Sequence, residues 1–546
     1  KFAEATTKAF AARESIGIYY DGDFISVPNV QAALTDGRAQ ISGMASFEEA
    51  ERLASQIRIG GLKLELEELR SNVVGAQLGE EAVRTSLLAA LIGLVIIALF
   101  MIIVYRIPGF ASVLALIIYT CLIVICLNIF ELTLTLPGIA GIILSIGMAV
   151  DANVIIFARI REEITAGKTV RNAIDTGFQK ALSAIVDGNV TTLIAALVLG
   201  IKGSGTVKGF AYTLGLGIVL SMFTALFVTR WILRALFAVG LKDVKFYGTN
   251  KEKATVRFLG KKNIFFACSI AVIVLGFVFM GVNGASSGRV LNYSLDFVGG
   301  TSTNVTFNED MDLAAIDADV VPVFSGVTGD GAVQVQKVAG SNEVIFKTRE
   351  LNLTEREQLN SALVEKFGVN EELITAETIS STISSEMKSD AVVAVIIATI
   401  CMLIYIWFRF KDIRFAASSV AALVHDVLVV LAFYAVAKVS VGSTFIACML
   451  TIVGYSINAT IVIFDRIREN LGSMQKKDSL EELVNRSISQ TLSRSIFTSL
   501  TTFVMVAALY VLGVTSIKEF ALPLMVGIVC GTYSSVCITG ALWYVL

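Results

Sequence analysis

The sequence predicts a polytopic α-helical membrane protein with two pseudo-symmetric halves and ferredoxin-like α+β extracytoplasmic domains. Three observations predict it. First, 55% of the 546 residues are apolar and 16% charged, with a mean hydropathy of +0.74, whereas soluble domains carry about 25% charge. Second, eleven apolar runs reach the roughly 20 residues that a helix needs to cross a bilayer. Third, the chain repeats itself. Val150-Asp151-Ala152-Asn153, Phe157-Ala158-Arg159-Ile160-Arg161-Glu162-Glu163, Thr191-Thr192 and Lys208-Gly209-Phe210-Ala211 recur as Ile457-Asn458-Ala459-Thr460, Phe464-Asp465-Arg466-Ile467-Arg468-Glu469-Asn470, Thr501-Thr502 and Lys518-Glu519-Phe520-Ala521. A repeat of this length implies homologous halves packed about an axis.

Taken in order, residues 1–84 form the C-terminal part of a first extracytoplasmic domain. A helix is expected at 2–10, then a hairpin of 15–20 and 24–27 around Asp21-Gly22-Asp23. A strand is expected at 38–42, a helix at 46–59 capped by Ser46-Phe47-Glu48-Glu49, and an alternating strand at 62–69. The order αββαβ is a βαββαβ domain without its first strand. A membrane anchor upstream would bring eleven spans to twelve, six per half, so a chain opening at Lys1 is expected to lack N-terminal sequence.

Residues 85–239 form a five-span bundle, with spans at 85–105, 110–130, 136–158, 182–201 and 209–235. The lysine-bearing stretch 240–262 is a cytoplasmic linker, and 263–283 is the first span of the second half. Residues 284–388 are a second extracytoplasmic domain. Strands are expected at 301–307, 332–338, 343–348 and 374–379, and helices at 312–324 and 354–367, the latter capped by Thr354-Glu355-Arg356-Glu357. That order is βαββαβ. Residues 389–546 hold five more spans, at 389–408, 413–436, 442–464, 493–512 and 517–544.

Basic residues orient the spans. Arg159, Arg161, Lys168, Arg171 and Lys180 share one loop, Arg230 to Lys262 the next on that side, and Arg409, Lys411, Arg414, Arg466, Arg468, Lys476, Lys477 and Arg486 follow. Alternate short loops hold only Lys202, Lys208, Lys438 and Lys518. The first set is therefore cytoplasmic, and both large polar segments lie outside. The seven cysteines all fall in apolar runs and read as small membrane residues. A single histidine argues against a His-based metal site.

Polar groups inside the spans are costly unless they serve a purpose. Asp151, followed by Asn153, suits a proton carrier, with a structural hydrogen bond between helices as the rival reading. Asp187 and Asn189 repeat that spacing, and adjacent spans would bring all four residues into one polar cluster. His425 and Asp426 sit mid-span as a candidate proton relay, although neighbouring residues on a helix point about 100° apart and cannot both face one partner squarely. Arg494, with Thr498 and Ser499 a turn on, needs a carboxylate, carbonyls or water. The mixed-charge helix ends at 157–163 and 464–470 read as surface salt bridges. Asp296-Phe297-Val298-Gly299-Gly300-Thr301 reads as a structural turn.

At these residues the chain resembles the SecD–SecF family of Sec translocase accessory components, in the resistance-nodulation-division superfamily. Leu136-Pro137-Gly138-Ile139-Ala140-Gly141 through Asp151-Ala152-Asn153 to Arg161-Glu162-Glu163 is similar to the SecD signature. Asp187-Gly188-Asn189-Val190-Thr191-Thr192 resembles a second SecD block, and Val74-Gly75-Ala76-Gln77-Leu78-Gly79 the join between outer domain and span. Phe297-Val298-Gly299-Gly300-Thr301, His425-Asp426-Val427, Gly454-Tyr455-Ser456-Ile457-Asn458 and Phe464-Asp465-Arg466-Ile467-Arg468-Glu469 resemble SecF.

The resemblance implies a bacterial inner-membrane protein that draws on a proton or sodium gradient to help move unfolded preproteins. Its implied partners are the SecYEG channel and, in many bacteria, YidC, in a lipid membrane. Asp151 would be the ion residue and Arg494 its paired arginine. The family's SecF motif has Asp directly after Asn458, where this chain has Ala459. Coupling through Asp151 alone, no ion coupling, and an engineered position all stay open at this point. A superfamily lipid or small-molecule exporter, or a non-motor scaffold of the translocase, are the other classes. No phosphate-binding loop, nucleophile–base pair or metal spacing points to an enzyme, a cofactor or a nucleic-acid partner.

Overall fold

The computed structural model describes the chain apart from residues 21–22, 61–67, 74–75, 204, 250–254, 289, 332, 339–340, 411 and 475–478. The expected turn at Asp21-Gly22 and most of the expected strand at 62–69 therefore lie outside the described residues, as do Ala332, Gly340, Lys411, Lys476, Lys477, and Val74-Gly75. The chain divides into two compact units, Lys1–Glu68 and Leu69–Leu546.

The first unit contains α1 (Phe2–Ala12), a hairpin of β1 (Ile18–Tyr20) and β2 (Asp23–Ser26), and α2 (Phe47–Gly60). The cap of α2 forms as expected: the Glu49 amide donates to Ser46 Oγ at 3.2 Å, and Glu49 Oε2 accepts from the Ala45 amide at 2.8 Å. The strand expected at 38–42 does not form. Gly37 and Gly43 bracket that run at φ of 75° and 93°, left-handed conformations that interrupt extended pairing at both ends. Among its described residues, this unit's sheet is the hairpin alone rather than most of a βαββαβ domain.

The second unit opens with β3 (Arg70–Val73) and then the first-half helices α3 (Ala76–Tyr105), α4 (Ile107–Ile129), α5 (Leu136–Thr165), α6 (Val170–Lys202), α7 (Gly205–Phe223) and α8 (Thr229–Ala238). The linker carries α9 (Val244–Tyr247), held where Arg161 Nε donates to Tyr247 O at 3.1 Å. Farther along, the amides of Val256 and Leu259 donate to Ser489 Oγ and Asn485 Oδ1. The linker is thus fastened to helices of both halves.

Next come α10 (Lys262–Ser287), α11 (Leu295–Val298) and an α/β domain with β4 (Gly300–Thr306), α12 (Leu313–Ala315), α13 (Val321–Thr328), β5 (Gln334–Lys337), β6 (Glu343–Thr348), α14 (Leu353–Phe367) and β7 (Thr375–Ile379). Its strands run antiparallel in the order β7-β4-β6-β5, the ferredoxin-like arrangement. Val305, Phe324, Phe346, Leu359 and Leu363 form its core, with the Phe324 and Phe346 rings stacked at 4.3 Å. The capping box starts two residues before its expected place: Asn352 Oδ1 accepts from the Glu355 amide at 2.9 Å, and Glu355 returns the bond at 3.0 Å. One strand was unforeseen. β3, from the other end of the sequence, pairs Arg70 with Ile379 and covers the β7 edge, which removes a row of unpaired backbone groups.

The second-half helices are α15 (Ser381–Phe410), α16 (Ile413–Ala437), α17 (Ser443–Gly472), α18 (Leu480–Leu512), α19 (Thr515–Tyr533) and α20 (Gly540–Val545). Among the described residues eleven helices are long and apolar enough to span a membrane, matching the eleven expected runs. Several extend beyond the apolar run. α6 begins at Val170 rather than 182, because its first turns are polar yet helical. π-helical turns join α7 to α8 (Thr224–Val228) and α19 to α20 (Ser534–Thr539), at matching places in the halves.

The repeated helices α5 and α17 are central: 89% of each apolar window is buried, against 22% for α3 and α15. Contacts between halves come in reciprocal pairs. A methyl group built on Gly147 would lie 3.1 Å from Thr502 Cα, and one on Gly454 lies 3.1 Å from Thr192 Cα. The Thr-Thr pairs of the repeat therefore seat the opposite half's glycine, a small-residue contact typical of membrane helices. The repeat-related Phe210 and Phe520 rings meet at 5.2 Å. Arg159 pairs with Glu469 at 3.1 Å, and Arg466 with Glu162 at 3.5 Å. Mutual contacts of this kind define a pseudo-two-fold axis between the halves.

Candidate ion-coupling site

Both central helices bring the same repeat position to the axis. Asp151 on α5 and Asn458 on α17 are 307 residues apart and touch: Asn458 Nδ2 donates to Asp151 Oδ2 at 2.7 Å. Gly188 of α6 makes room for this contact, since a methyl there would stand 2.0 Å from Asn458 Oδ1. Asp151 and Arg494 line one small cavity with Tyr455, Asn458, Ala459, Val462, Ser495 and Thr498. Its volume is about 10 Å³, room for about one water molecule. Both charged residues are buried, and among the described residues they form no direct ion pair. Arg494 Nε and Nη2 are buried without a hydrogen-bond partner. The site thus holds one carboxylate, one guanidinium and space between them. Ala459 faces this same space.

The other expected residues are placed differently. Asn153 and Asn189 turn back on their own helices, donating to Ala149 O at 3.3 Å and Ile185 O at 2.8 Å. Asp187 does not join Asp151. It accepts from Arg409 Nε at 2.5 Å and Tyr405 Oη at 2.8 Å, both on α15. The four-residue cluster expected from the repeated spacing is therefore absent, because Asp187 finds a cation on the second half and the site between the spans is filled by Asn458. Of the two residues a turn past Arg494, Thr498 lines the cavity, and Ser499 accepts from Thr532 Oγ1 at 2.5 Å.

His425 and Asp426 form a second buried polar cluster. Rather than sharing a third partner, they meet each other, with Nδ1 and Oδ1 2.9 Å apart. Asp426 also accepts from Ser456 Oγ at 2.5 Å, Ser534 Oγ at 2.8 Å and Cys530 Sγ at 3.3 Å. Cys530 is thus more than a small apolar filler: its sulfur, the His425 imidazole and the Asp426 carboxylate offer ligand atoms within 4.8 Å of one another. His425 Nε2 is buried without a partner. The helix ends at 157–163 and 464–470 are not merely surface features either, since Arg159 is 6% exposed and sits in the reciprocal network.

Sequence reasoning missed Asn458, Tyr405 and Arg409 as site residues. Asn458 was within reach, because the repeat register sets it against Asp151. The Asp187–Arg409 pair crosses 222 residues with no shared pattern.

Two pseudo-symmetric membrane bundles meeting at a buried carboxylate–guanidinium cavity, with an α/β domain inserted in the second half, define a two-repeat membrane transport protein. Comparison with known proteins narrows the class. Residues 58–238 and 359–546 match the family model "Protein export membrane protein SecD/SecF, C-terminal", and residues 1–64 match "SecDF, P1 head subdomain". The protein translocase subunit SecDF of Bacillus subtilis is 35% identical over 587 residues, covering 100% of this chain and 77% of the relative. SecDF of Thermus thermophilus is 36% identical over 556 residues, covering 99% and 72%. The crystal structure of the Thermus SecDF, described as a translocon-associated membrane protein, superposes with a TM-score of 0.81 at 34% identity, covering 100% of this chain and 73% of that one. A SecDF structure in a super-membrane-facing form gives 0.67 at 33% identity, with 99% and 73% covered. This chain belongs to the SecD/SecF protein-export membrane protein family, with SecD-like and SecF-like halves fused in one polypeptide.

Proposed function

We propose that this protein assists the export of unfolded preproteins through the SecYEG channel, alongside YidC where present, and that an ion gradient drives it through Asp151 and Arg494. The observation that carries the coupling is the cavity at the pseudo-two-fold axis. A proton or sodium ion reaching Asp151 neutralises the carboxylate and leaves the Arg494 charge unbalanced in a low-dielectric interior. It also competes with Asn458 for the same oxygen. Each event loosens the contact between halves, so ion binding and interface geometry become one equilibrium. The basic helix ends support a reading with the linker side in the cytoplasm and the segments 1–84 and 284–388 on the outer side of the inner membrane. His425 and Asp426 are a second proton-holding group within the SecF-like half. Asp187 acts as a tie between halves and Asn153 and Asn189 as helix-local polar residues.

Ala459 favours a second reading, a non-motor scaffold of the translocase, because the carboxylate that the family's SecF motif supplies is missing from the cavity. The two readings separate in proteoliposomes holding this protein and SecYEG. Late-stage preprotein movement is timed with and without an imposed proton or sodium gradient. Acceleration by the gradient supports the motor. An equal benefit with and without it supports the scaffold.

A further inference from the structure

The helix that carries Asn458 starts without a cap of its own. α17 has Gly442 at its N-cap position and no acid in its first turn. The cap comes from another segment. Asp296 Oδ2 accepts from the Ser443 amide at 2.9 Å and from Ser443 Oγ at 2.5 Å. A carboxylate at that point meets both the unpaired amides and the positive end of the helix dipole. The neighbouring backbone is tied as well: the Ser294 amide donates to Val441 O at 2.9 Å, and the Val441 amide to Asn292 O at 2.7 Å. Contact is so close that a methyl on Gly442 would stand 2.0 Å from Ser294 Oγ.

Asp296 lies only a few residues from the sheet. Gly299 and Gly300, at φ of 78° and 113°, turn the chain from α11 into β4, a central strand. A side chain on Gly300 would meet Thr348 O at 2.4 Å, so the turn has no slack. At its other end, α17 runs from Ser443 to Asn458, about 22 Å of helix at 1.5 Å per residue. One rigid element thus joins the Asp151 contact to the α/β domain, with Asp296 at the joint.

We infer that Asp296 is a positioning residue of the motor: it fastens the α/β domain to the N-terminus of α17, so that movement of α17 at the Asp151–Asn458 contact is passed to the sheet. Asp296 touches neither ion nor preprotein. The inference rests on the ion-coupled reading, and its test has a readout independent of that reading.

Genetically encoded spin labels on the exposed positions Glu357 of α14 and Ser473 beyond α17 report the spacing of domain and helix. Gradient-stimulated and gradient-free preprotein movement are measured on the same variants. Asp296→Ala is expected to broaden the label distance distribution and to cut the gradient-stimulated increment by about tenfold, with the gradient-free rate kept. Asp296→Asn retains an oxygen acceptor and is expected to recover a large part of both. An unchanged, narrow distance distribution in Asp296→Ala overturns the inference. So does an equal loss of both rates with a lowered Tm, which marks a purely structural cap. If the unsubstituted protein shows no gradient stimulation, the motor reading fails, and the distance measurement alone still decides whether Asp296 sets the joint.

Discussion

Gly188→Ala probes the contact on which the site is built. The added methyl would stand 2.0 Å from Asn458 Oδ1 and 2.5 Å from its Cγ, so the amide must leave or the helices must part. If the amide swings away, the 2.7 Å bond to Asp151 is lost. A hydrogen bond to a charged group is worth about 1.5–3 kcal/mol, and each 1.4 kcal/mol is about tenfold in an equilibrium. If α6 and α17 part instead, overpacking costs about 1–3 kcal/mol. Either route predicts a loss of about tenfold to a hundredfold in gradient-stimulated preprotein movement, measured in proteoliposomes with SecYEG. Gly454→Ala is the control. Its methyl meets Thr192 at 3.1 Å and leaves Asp151 untouched, so it is expected to lower Tm more than it lowers the gradient response. Gly188→Ala with full gradient stimulation and an unshifted Tm would refute the wedged placement of Asn458.

Arg409→Ala strands the buried Asp187 carboxylate and is expected to cost about 3 kcal/mol of stability. Replacing Asp187 and Arg409 together with leucine costs less, and equal losses in thermal unfolding would argue against a buried pair. Asn352→Ala removes the cap of α14 and is expected to cost about 1 kcal/mol. Arg349 holds the Glu355 carboxyl below its usual range, so that part of the stability is present above the ordinary carboxyl pKa and is lost as pH falls through the lowered value. Glu377 behaves in the opposite sense: burial, and then the charge of Asp296, raise its pKa. Its contribution is complete below the ordinary carboxyl value and is lost as pH rises through the raised one. Glu377→Gln is therefore expected to raise Tm near pH 8 and leave it nearly unchanged near about pH 4; a gain confined to acid pH would contradict the assignment.

The spans were legible because a helix in lipid must be apolar along its whole length, and that constraint is local in sequence. The ferredoxin-like order of 300–379 was legible for a similar reason: β4 alternates buried and half-buried residues, and Gly368 ends α14 in the left-handed conformation. The cap of α14 slipped by two residues because Asn352 and Thr354 each stand three residues before a glutamate, and local pattern does not choose between them. Partner identity across the interface was largely hidden. Asp187 and Asp151 carry the same X-Asn spacing, yet one meets Arg409 and the other Asn458. Nothing local distinguishes an aspartate that finds a cation 222 residues away from one that does not. Likewise β3 pairs with β7 across the entire first bundle, a contact that loop length and alternation cannot indicate. The repeat was the exception. Its register, followed one step further, sets Asn458 against Asp151.

Ala459 bears most directly on the account, because it lines the cavity shared by Asp151 and Arg494. The decisive measurement times late-stage preprotein movement under an imposed ion gradient for the unsubstituted protein, Asp151→Asn and Ala459→Asp. Acceleration of the unsubstituted protein, its loss in Asp151→Asn and its retention in Ala459→Asp is the predicted result, with Asp151 carrying the coupling alone. A gradient response in Ala459→Asp only would contradict that claim and leave the native chain an uncoupled member of its family.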